Sequence, residues 1–141
     1  MSARPYPATD LDSAPWWEAL RRRELLLQAC GPCRRLRWPA RAICNDCGSD
    51  DWTWVPASGF GTVASWTVTH RPATAGGPFV VVLVRLDDQD DILMPGYVDG
   101  PQDGAGLVIG LPVQVGFEDV AAGDGGRDLV VLRWRPVHRS G

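Results

Sequence analysis

Apolar residues recur along the chain at two spacings, one typical of a helix and one typical of strands. Near the N-terminus, Trp16, Trp17 and Leu20 follow Pro15 at roughly helical spacing, which predicts one short helix over about residues 16–23. Beyond residue 50, the apolar positions are β-branched or aromatic and form short runs between clusters of Gly, Pro and Asp. The predicted strands are 52–55, 61–70, 79–87, 92–98, 113–117 and 129–137.

No helical segment lies between these runs, and that arrangement indicates an antiparallel barrel or sandwich. Five main strands in about eighty residues suit an OB-type barrel better than a seven-stranded sandwich. The pattern therefore predicts a mainly β protein in which a short N-terminal helix precedes a five-stranded OB-fold barrel.

The four cysteines form two Cys-x-x-Cys pairs that are separated by ten residues. Each pair places two sulfurs on one side of a turn, and two such turns on a hairpin close a tetrahedron around zinc. The expected ligands are Cys30, Cys33, Cys44 and Cys47, and four thiolates leave no coordination position for water, so the expected zinc is structural. Disulfides are not expected without an export signal. A redox iron site shares the local motif, but its two pairs are normally much farther apart.

These patterns together predict three regions. Residues 1–24 are expected to form an N-terminal arm and the short helix, residues 25–50 a rubredoxin-like zinc ribbon, and residues 51–141 the OB-fold domain.

Charge is distributed unevenly along the chain. All fourteen basic residues are arginines, and the sequence pI is about 5.2. Residues 16–41 carry seven arginines against two glutamates, a net charge of +5, whereas residues 61–141 carry six arginines against ten acids, a net charge of −4. Arg34, Arg35, Arg37 and Arg41 either offset the charge of a zinc–thiolate centre or bind phosphates of a ligand, and the sequence leaves both roles open.

Catalytic residue pairs are not evident in the sequence. His70 closes a predicted strand and is expected to be structural, and His138 lies in the tail. The chain contains no phosphate-cradling glycine loop, zinc-protease motif or serine-triad pattern. We therefore expect no catalytic residues and no activity of the isolated chain.

The order of these features resembles the zinc-ribbon OB-fold acyl-CoA-binding proteins, a family long catalogued as a domain of unknown function. The resemblance covers about residues 15–136 and is carried by residues 16–20, 25–30, 44–49, 54–63, 65–70, 78–87 and 109–117. Two positions depart from the family pattern, which usually has glycine after the second cysteine and proline after the third. This chain has Arg34 and Asn45 there. Both are turn positions, so we expect metal ligation to survive with slightly different turn geometry.

The resemblance implies an accessory subunit that helps to bind acyl-CoA beside a thiolase-fold acyltransferase or aldolase, and sometimes beside a hotdog-fold hydratase. Steroid side-chain degradation is the setting it implies. In that role the arginines from Arg34 to Arg41 would lie near the nucleotide end of coenzyme A. Trp16, Trp17 and Leu20 would meet the partner, unless they pack against the protein's own ribbon.

Two other classes of function use the same features. A zinc-ribbon OB-fold module could bind single-stranded nucleic acid by stacking bases on Trp52, Trp54 and Trp66, although the acidic second half opposes this. A scaffold without a small ligand is the third class. No apolar run is long enough to span a membrane, and we expect a cytoplasmic protein.

Overall fold

The computed structural model describes residues 13–70, 78–121 and 129–137 of the chain. The elements are α1 (Ala14–Arg21), β1 (Leu26–Cys30), β2 (Leu36–Arg37), β3 (Trp52–Pro56), β4 (Phe60–Thr69), β5 (Phe79–Leu86), β6 (Leu93–Val98), β7 (Pro112–Gln114), β8 (Phe117–Val120) and β9 (Leu129–Pro136). They form two compact units that divide after Ser58. We call their described parts the ribbon unit (residues 13–58) and the barrel unit (residues 59–137).

In the ribbon unit, a three-stranded antiparallel sheet has the order β2-β1-β3. The central strand β1 pairs Gln28 with both Arg37 and Trp54, and it pairs Cys30 with Trp52. Residues that are directly opposite in a sheet point to the same face, and so do residues two apart on one strand. All five side chains therefore belong to one face of the ribbon sheet.

The helix α1 lies against β1 and starts two residues earlier than the spacing of its apolar residues predicts. Pro15 fits its first turn, where a missing N–H is tolerated. The helix ends at Arg21 because Arg23 adopts a left-handed conformation with φ of 61°, which no right-handed helix can continue.

The sequence pattern predicts the segment of β3 as part of the barrel domain, but its backbone pairs with β1 over five residue pairs in the ribbon sheet. Alternating aromatic and β-branched residues look the same in either sheet, so the pattern of Trp52–Pro56 could not assign the strand to its partner.

In the barrel unit, five strands close into the OB-fold barrel that the sequence predicts. Antiparallel pairs join β6 to β5, β5 to β4, β4 to β7 and β7 to β9. A short parallel pairing of β6 with β9 closes the ring through Tyr97 opposite Arg133 and Val98 opposite Trp134. This order brings together strands that are far apart in sequence.

The predicted strand 113–117 is interrupted in the structure. Val115 and Gly116 separate β7 from β8, and both of these strands pair with β9. At this break, the backbone of Gly116 lies close to the backbone of β9. The Arg133 N–H donates to the Gly116 carbonyl at 2.9 Å, and a Cβ on Gly116 would lie 2.8 Å from the Arg133 carbonyl oxygen.

The barrel core is formed by alternate residues of β5 and by one large aromatic residue. Val80, Val82 and Val84 are fully buried, as is Trp134. A Cβ on Gly96 would lie 2.7 Å from the indole ring of Trp134, so the absence of a side chain there makes room for the ring. In the described part of the chain, no helix is long and apolar enough to cross a membrane.

Arginine and acidic side chains meet where the barrel closes. The guanidinium of Arg133 on β9 pairs with Asp99, which follows β6, and with Glu118 on β8 at 3.1 Å. The Asp99 partner and the Glu118 charge raise the pKa of Arg133, although burial opposes the shift. The group is therefore a permanent cation that links three segments of the barrel unit.

Candidate metal centre

The ribbon sheet brings the four cysteines together at one end. Cys30 is the last residue of β1, Cys33 follows in the next turn, and Cys44 and Cys47 lie in a second turn before β3. Their Sγ atoms all lie within 4.8 Å of one another, with 3.4 Å between Cys30 and Cys47 and 3.7 Å between Cys33 and Cys44. Zn–S bonds of about 2.3 Å give sulfur–sulfur edges of about 3.8 Å in a tetrahedron. The donor set therefore fits one tetrahedral zinc ion.

The two turns have the same backbone construction. In the first, the Arg34 N–H donates to the Cys30 carbonyl at 3.0 Å, and in the second the Gly48 N–H donates to the Cys44 carbonyl at 2.9 Å. The residue after the second cysteine is left-handed in both turns, with φ of 64° at Arg34 and 77° at Gly48. Arg34, which stands where the family pattern has glycine, thus leaves the turn intact. The cost is the strain of a residue with a side chain in the left-handed conformation.

Backbone N–H groups point at the sulfurs of these turns. The N–H groups of Cys47 and Asp46 donate to the Cys44 sulfur and lower the pKa of that thiol to about 6. At Cys30, the N–H of Cys33 favours the thiolate, but burial and the neighbouring Cys47 sulfur outweigh it and raise the pKa. N–H donors that stabilise anionic sulfur are the surroundings that metal-bound thiolates require. Among the described residues, this is the one cluster of three or more ligating side chains.

The four candidate arginines have different surroundings. Arg34, Arg35 and Arg41 are exposed, and the Nε of Arg35 lies 2.7 Å from Asp46 Oδ2, so that Arg35 links the first turn to the second. Arg37 is only 5% exposed. A buried guanidinium cannot offer two N–H groups to a phosphate in solvent, so Arg37 does not fit the predicted ligand-binding set, whereas Arg34, Arg35 and Arg41 remain predictions.

Sequence reasoning missed the residue that holds Arg37 in place. Gln28 is fully buried, and its Oε1 accepts hydrogen bonds from Arg37 Nε and from the backbone N–H of Arg41, both at 2.8 Å. Arg37 NH2 donates to the Arg41 carbonyl at 2.7 Å, and its guanidinium carbon lies 5.6 Å from the ring centroid of Trp52. The sequence does contain a signal for this residue, namely a glutamine inside an apolar strand and two residues before a cysteine of the cluster.

Two of the three apolar residues predicted for the partner surface are buried within the ribbon unit. Trp16 is 5% exposed, and its ring centroid lies 5.7 Å from that of Trp38 and 4.8 Å from that of Trp17. Leu20 is fully buried. These contacts correct the expectation that Trp16 and Leu20 meet a partner, and only Trp17, which is half-buried, stays in the proposed surface.

The remaining candidates do not form a site in the described residues. His70 is exposed after β4, and His138 lies outside the described residues. Trp52 and Trp54 pack edge to face at 5.3 Å, and a Cβ on Gly104 would lie 3.3 Å from the indole nitrogen of Trp66. These rings are engaged in packing, which is unlike the open stacking surface of a single-strand binder.

Comparisons with known proteins agree with this architecture. The family model of the ChsH2 rubredoxin-like zinc ribbon domain matches residues 17–53. The family model of the ChsH2 C-terminal OB-fold domain matches residues 54–118. The chain is 33% identical over 132 residues to a 3-oxo-4,17-pregnadiene-20-carboxyl-CoA hydratase alpha subunit from Mycobacterium tuberculosis. It is 44% identical over 87 residues to a probable enoyl-CoA hydratase alpha subunit from Thermomonospora curvata. These alignments cover 92% and 60% of this chain but only 39% and 27% of the relatives, so the chain spans well under half of their length.

Two solved structures have the same fold. One chain of a structure described as the Ltp2-ChsH2(DUF35) aldolase is 33% identical, with a TM-score of 0.79 over 93% of this chain and 98% of that chain. A protein of unknown function from the DUF35 family of Sulfolobus solfataricus has a TM-score of 0.61 at 17% identity, over 94% and 90% of the two chains, and supports the fold alone. The chain therefore belongs to the ChsH2 family, in which a rubredoxin-like zinc ribbon is followed by a C-terminal OB-fold domain.

Proposed function

We propose that this protein is a non-catalytic accessory subunit that helps a thiolase-fold aldolase or acyltransferase to bind steroidal acyl-CoA. The observation that carries the proposal is the match to nearly the whole of one chain of the Ltp2-ChsH2(DUF35) aldolase, a structure whose description names two components. The name of the Mycobacterium tuberculosis relative, a carboxyl-CoA hydratase subunit, supports the substrate class. Because that relative is named as one subunit of a hydratase, we also propose a hydratase as a further partner, and the family resemblance suggests the hotdog fold for it.

Zinc is the metal that we propose for the four cysteines. Cys30 and Cys33 from the first turn and Cys44 and Cys47 from the second would hold it, and the ion would fix the two turns to each other. With four thiolates bound, no position is left for water or substrate, which fits a structural role. In this proposal, the described residues of this chain contribute by binding the ligand and the partner protein, and they carry out no chemical step.

Arg34 and Arg41 are the residues that we propose to contact the phosphates of coenzyme A. Both are exposed on the positively charged N-terminal third, whereas the later part of the chain is acidic and repels phosphate. Arg35 can contribute only through the part of its guanidinium that Asp46 does not occupy. The exposed Ile43, together with Trp17, supplies apolar surface for a protein partner.

The proposed function is tested by reconstitution. The chain is co-expressed with a thiolase-like protein from the same genome, and aldol cleavage of a steroidal 3-hydroxyacyl-CoA into a ketone and a shortened acyl-CoA is measured. We expect activity from the complex and none from the isolated chain. Robust turnover by the isolated chain, or full activity of the partner without this chain, would refute the proposal.

The phosphate contact is tested in the same complex. Replacing Arg34 or Arg41 by glutamine should raise the acyl-CoA concentration needed for half-maximal activity while the complex still assembles. The matched control is Arg22→Gln, which removes the same charge from an exposed position of the ribbon unit. Loss of assembly instead would assign the two arginines to the protein interface.

A further inference from the structure

Arg37 is a buried cation without a described anionic partner. Within the described part of the chain, its hydrogen bonds go to neutral acceptors, the side-chain oxygen of Gln28 and the carbonyl of Arg41, and its buried NH1 atom has no hydrogen-bond partner there. The five ion pairs found among the described residues involve other arginines. A buried charge destabilises a fold unless an opposite charge lies nearby, so this arginine requires a counter-charge.

The position of Arg37 in the sheet leads to that counter-charge. Gln28 precedes the ligand Cys30 by two residues on β1, so Arg37, which lies opposite Gln28, is on the same sheet face as that sulfur. The guanidinium also packs on the ring of Trp52, which is the cross-strand partner of Cys30. Arg37 therefore lies two positions along the ladder from Cys30 on the same sheet face, a step of about 7 Å along the strand.

Four thiolates around a zinc ion carry a formal charge of −2, which itself needs compensation. Backbone N–H groups supply part of it, and Arg35 is exposed and already paired with Asp46. Charges interact more strongly in a buried environment than across solvent, so Arg37 has the larger effect at comparable distance. We infer that Arg37 is the buried counter-charge of the metal–thiolate centre, so that zinc binding and burial of Arg37 stabilise each other. This inference rests on the proposed zinc site.

Zinc affinity measured by chelator competition on the full chain tests the inference. Arg37→Met keeps the length and apolar contacts of the side chain but removes its charge, and we expect zinc to bind at least tenfold more weakly. The matched control is again Arg22→Gln, which removes the same charge from a side chain that is 57% exposed, and we expect affinity within twofold of the wild type.

Arg37→Lys separates charge from hydrogen bonding, because it keeps the cation and loses most of the bonds to Gln28 and Arg41. We expect zinc affinity within about threefold of the wild type. This variant alone decides the question if Arg37→Met does not fold, and a loss beyond tenfold for lysine overturns the counter-charge role.

Replacing zinc by cobalt gives an absorption spectrum that reports on the sulfur atoms. This spectrum would not change if Arg37 only supported the fold. A nearby cation stabilises the sulfur electrons, so the sulfur-to-cobalt charge-transfer band should shift to longer wavelength in Arg37→Met and stay in place in Arg22→Gln. Unchanged zinc affinity and an unchanged band in a folded Arg37→Met protein refute the inference and leave the proposed metal site standing. A wild-type chain that binds no zinc would refute the metal site and this inference together.

Discussion

Replacing Arg34 by glycine should stabilise the ribbon unit, although it removes a large side chain. Arg34 has φ of 64°, and a non-glycine residue in this region costs about 1–2 kcal/mol. Glycine avoids that cost but loses about 0.5–1 kcal/mol through its greater freedom in the unfolded chain. The net expected gain in the free energy of unfolding is about 0.5–1 kcal/mol.

Gly48 occupies the same position in the second turn, and it provides the reciprocal test. A Cβ at Gly48 would have no atom within 4 Å, so Gly48→Ala introduces no steric clash, and its cost comes from φ of 77° alone. We expect Gly48→Ala to lower the free energy of unfolding by about 0.5–1 kcal/mol, because the smaller freedom of alanine in the unfolded chain offsets part of the left-handed cost. The two substitutions should therefore have opposite signs and similar size.

The assay is denaturant unfolding of the zinc-loaded chain followed by tryptophan fluorescence, since five of the seven tryptophans precede residue 58. Arg34→Ala is the control for loss of charge and side chain, because it keeps the conformational cost. At Asn45, which is not left-handed, alanine should be at least as stable as glycine. If Arg34→Gly is no more stable than Arg34→Ala, the left-handed strain argued for this turn is wrong.

Three further substitutions test the metal site, the buried glutamine and the barrel core. Cys44→Ser should abolish stoichiometric zinc binding, measured by metal analysis after gel filtration, and should unfold the ribbon unit in near-UV circular dichroism, because metal binding and folding are coupled. Gln28→Leu should cost about 2–4 kcal/mol in denaturant unfolding, since it leaves the buried Arg37 without its main acceptor, and a cost below 1 kcal/mol would contradict this. Gly96→Ala should cost about 1–3 kcal/mol and perturb Trp134 fluorescence, because the new Cβ would lie 2.7 Å from the indole ring. Unchanged stability and fluorescence would show that the core can move.

The features that were predicted from the sequence are those with local causes. Each Cys-x-x-Cys pair fixes the geometry of its own turn, so the cluster of four cysteines could be predicted without knowing the sheet. The strands β4, β5, β6 and β9 follow from short β-branched runs that end at turn residues. In these cases every residue needed for the inference lies within about ten positions of the next.

The features that were missed depend on long-range pairing. Arg34 and Arg37 look alike in the sequence, and only the register that places Arg37 opposite Gln28 buries one of them. Likewise, β3 could not be assigned to the ribbon sheet until its pairing with β1 was known. Burial of an arginine is a property of its neighbours across the sheet, which the local pattern does not encode.

Between β6 and β9, the barrel is closed partly by backbone pairing and partly by side-chain packing. Only the last two residues of β6 pair with β9, and before them Gly96 leaves a gap in side chains into which Trp134 fits. Along that stretch, an indole packed against bare backbone takes the place of a hydrogen-bonded ladder. Substitution at residues 96 and 134 is therefore limited by the volume of their side chains and not by backbone pairing. Residue 96 has to stay small for as long as residue 134 stays large.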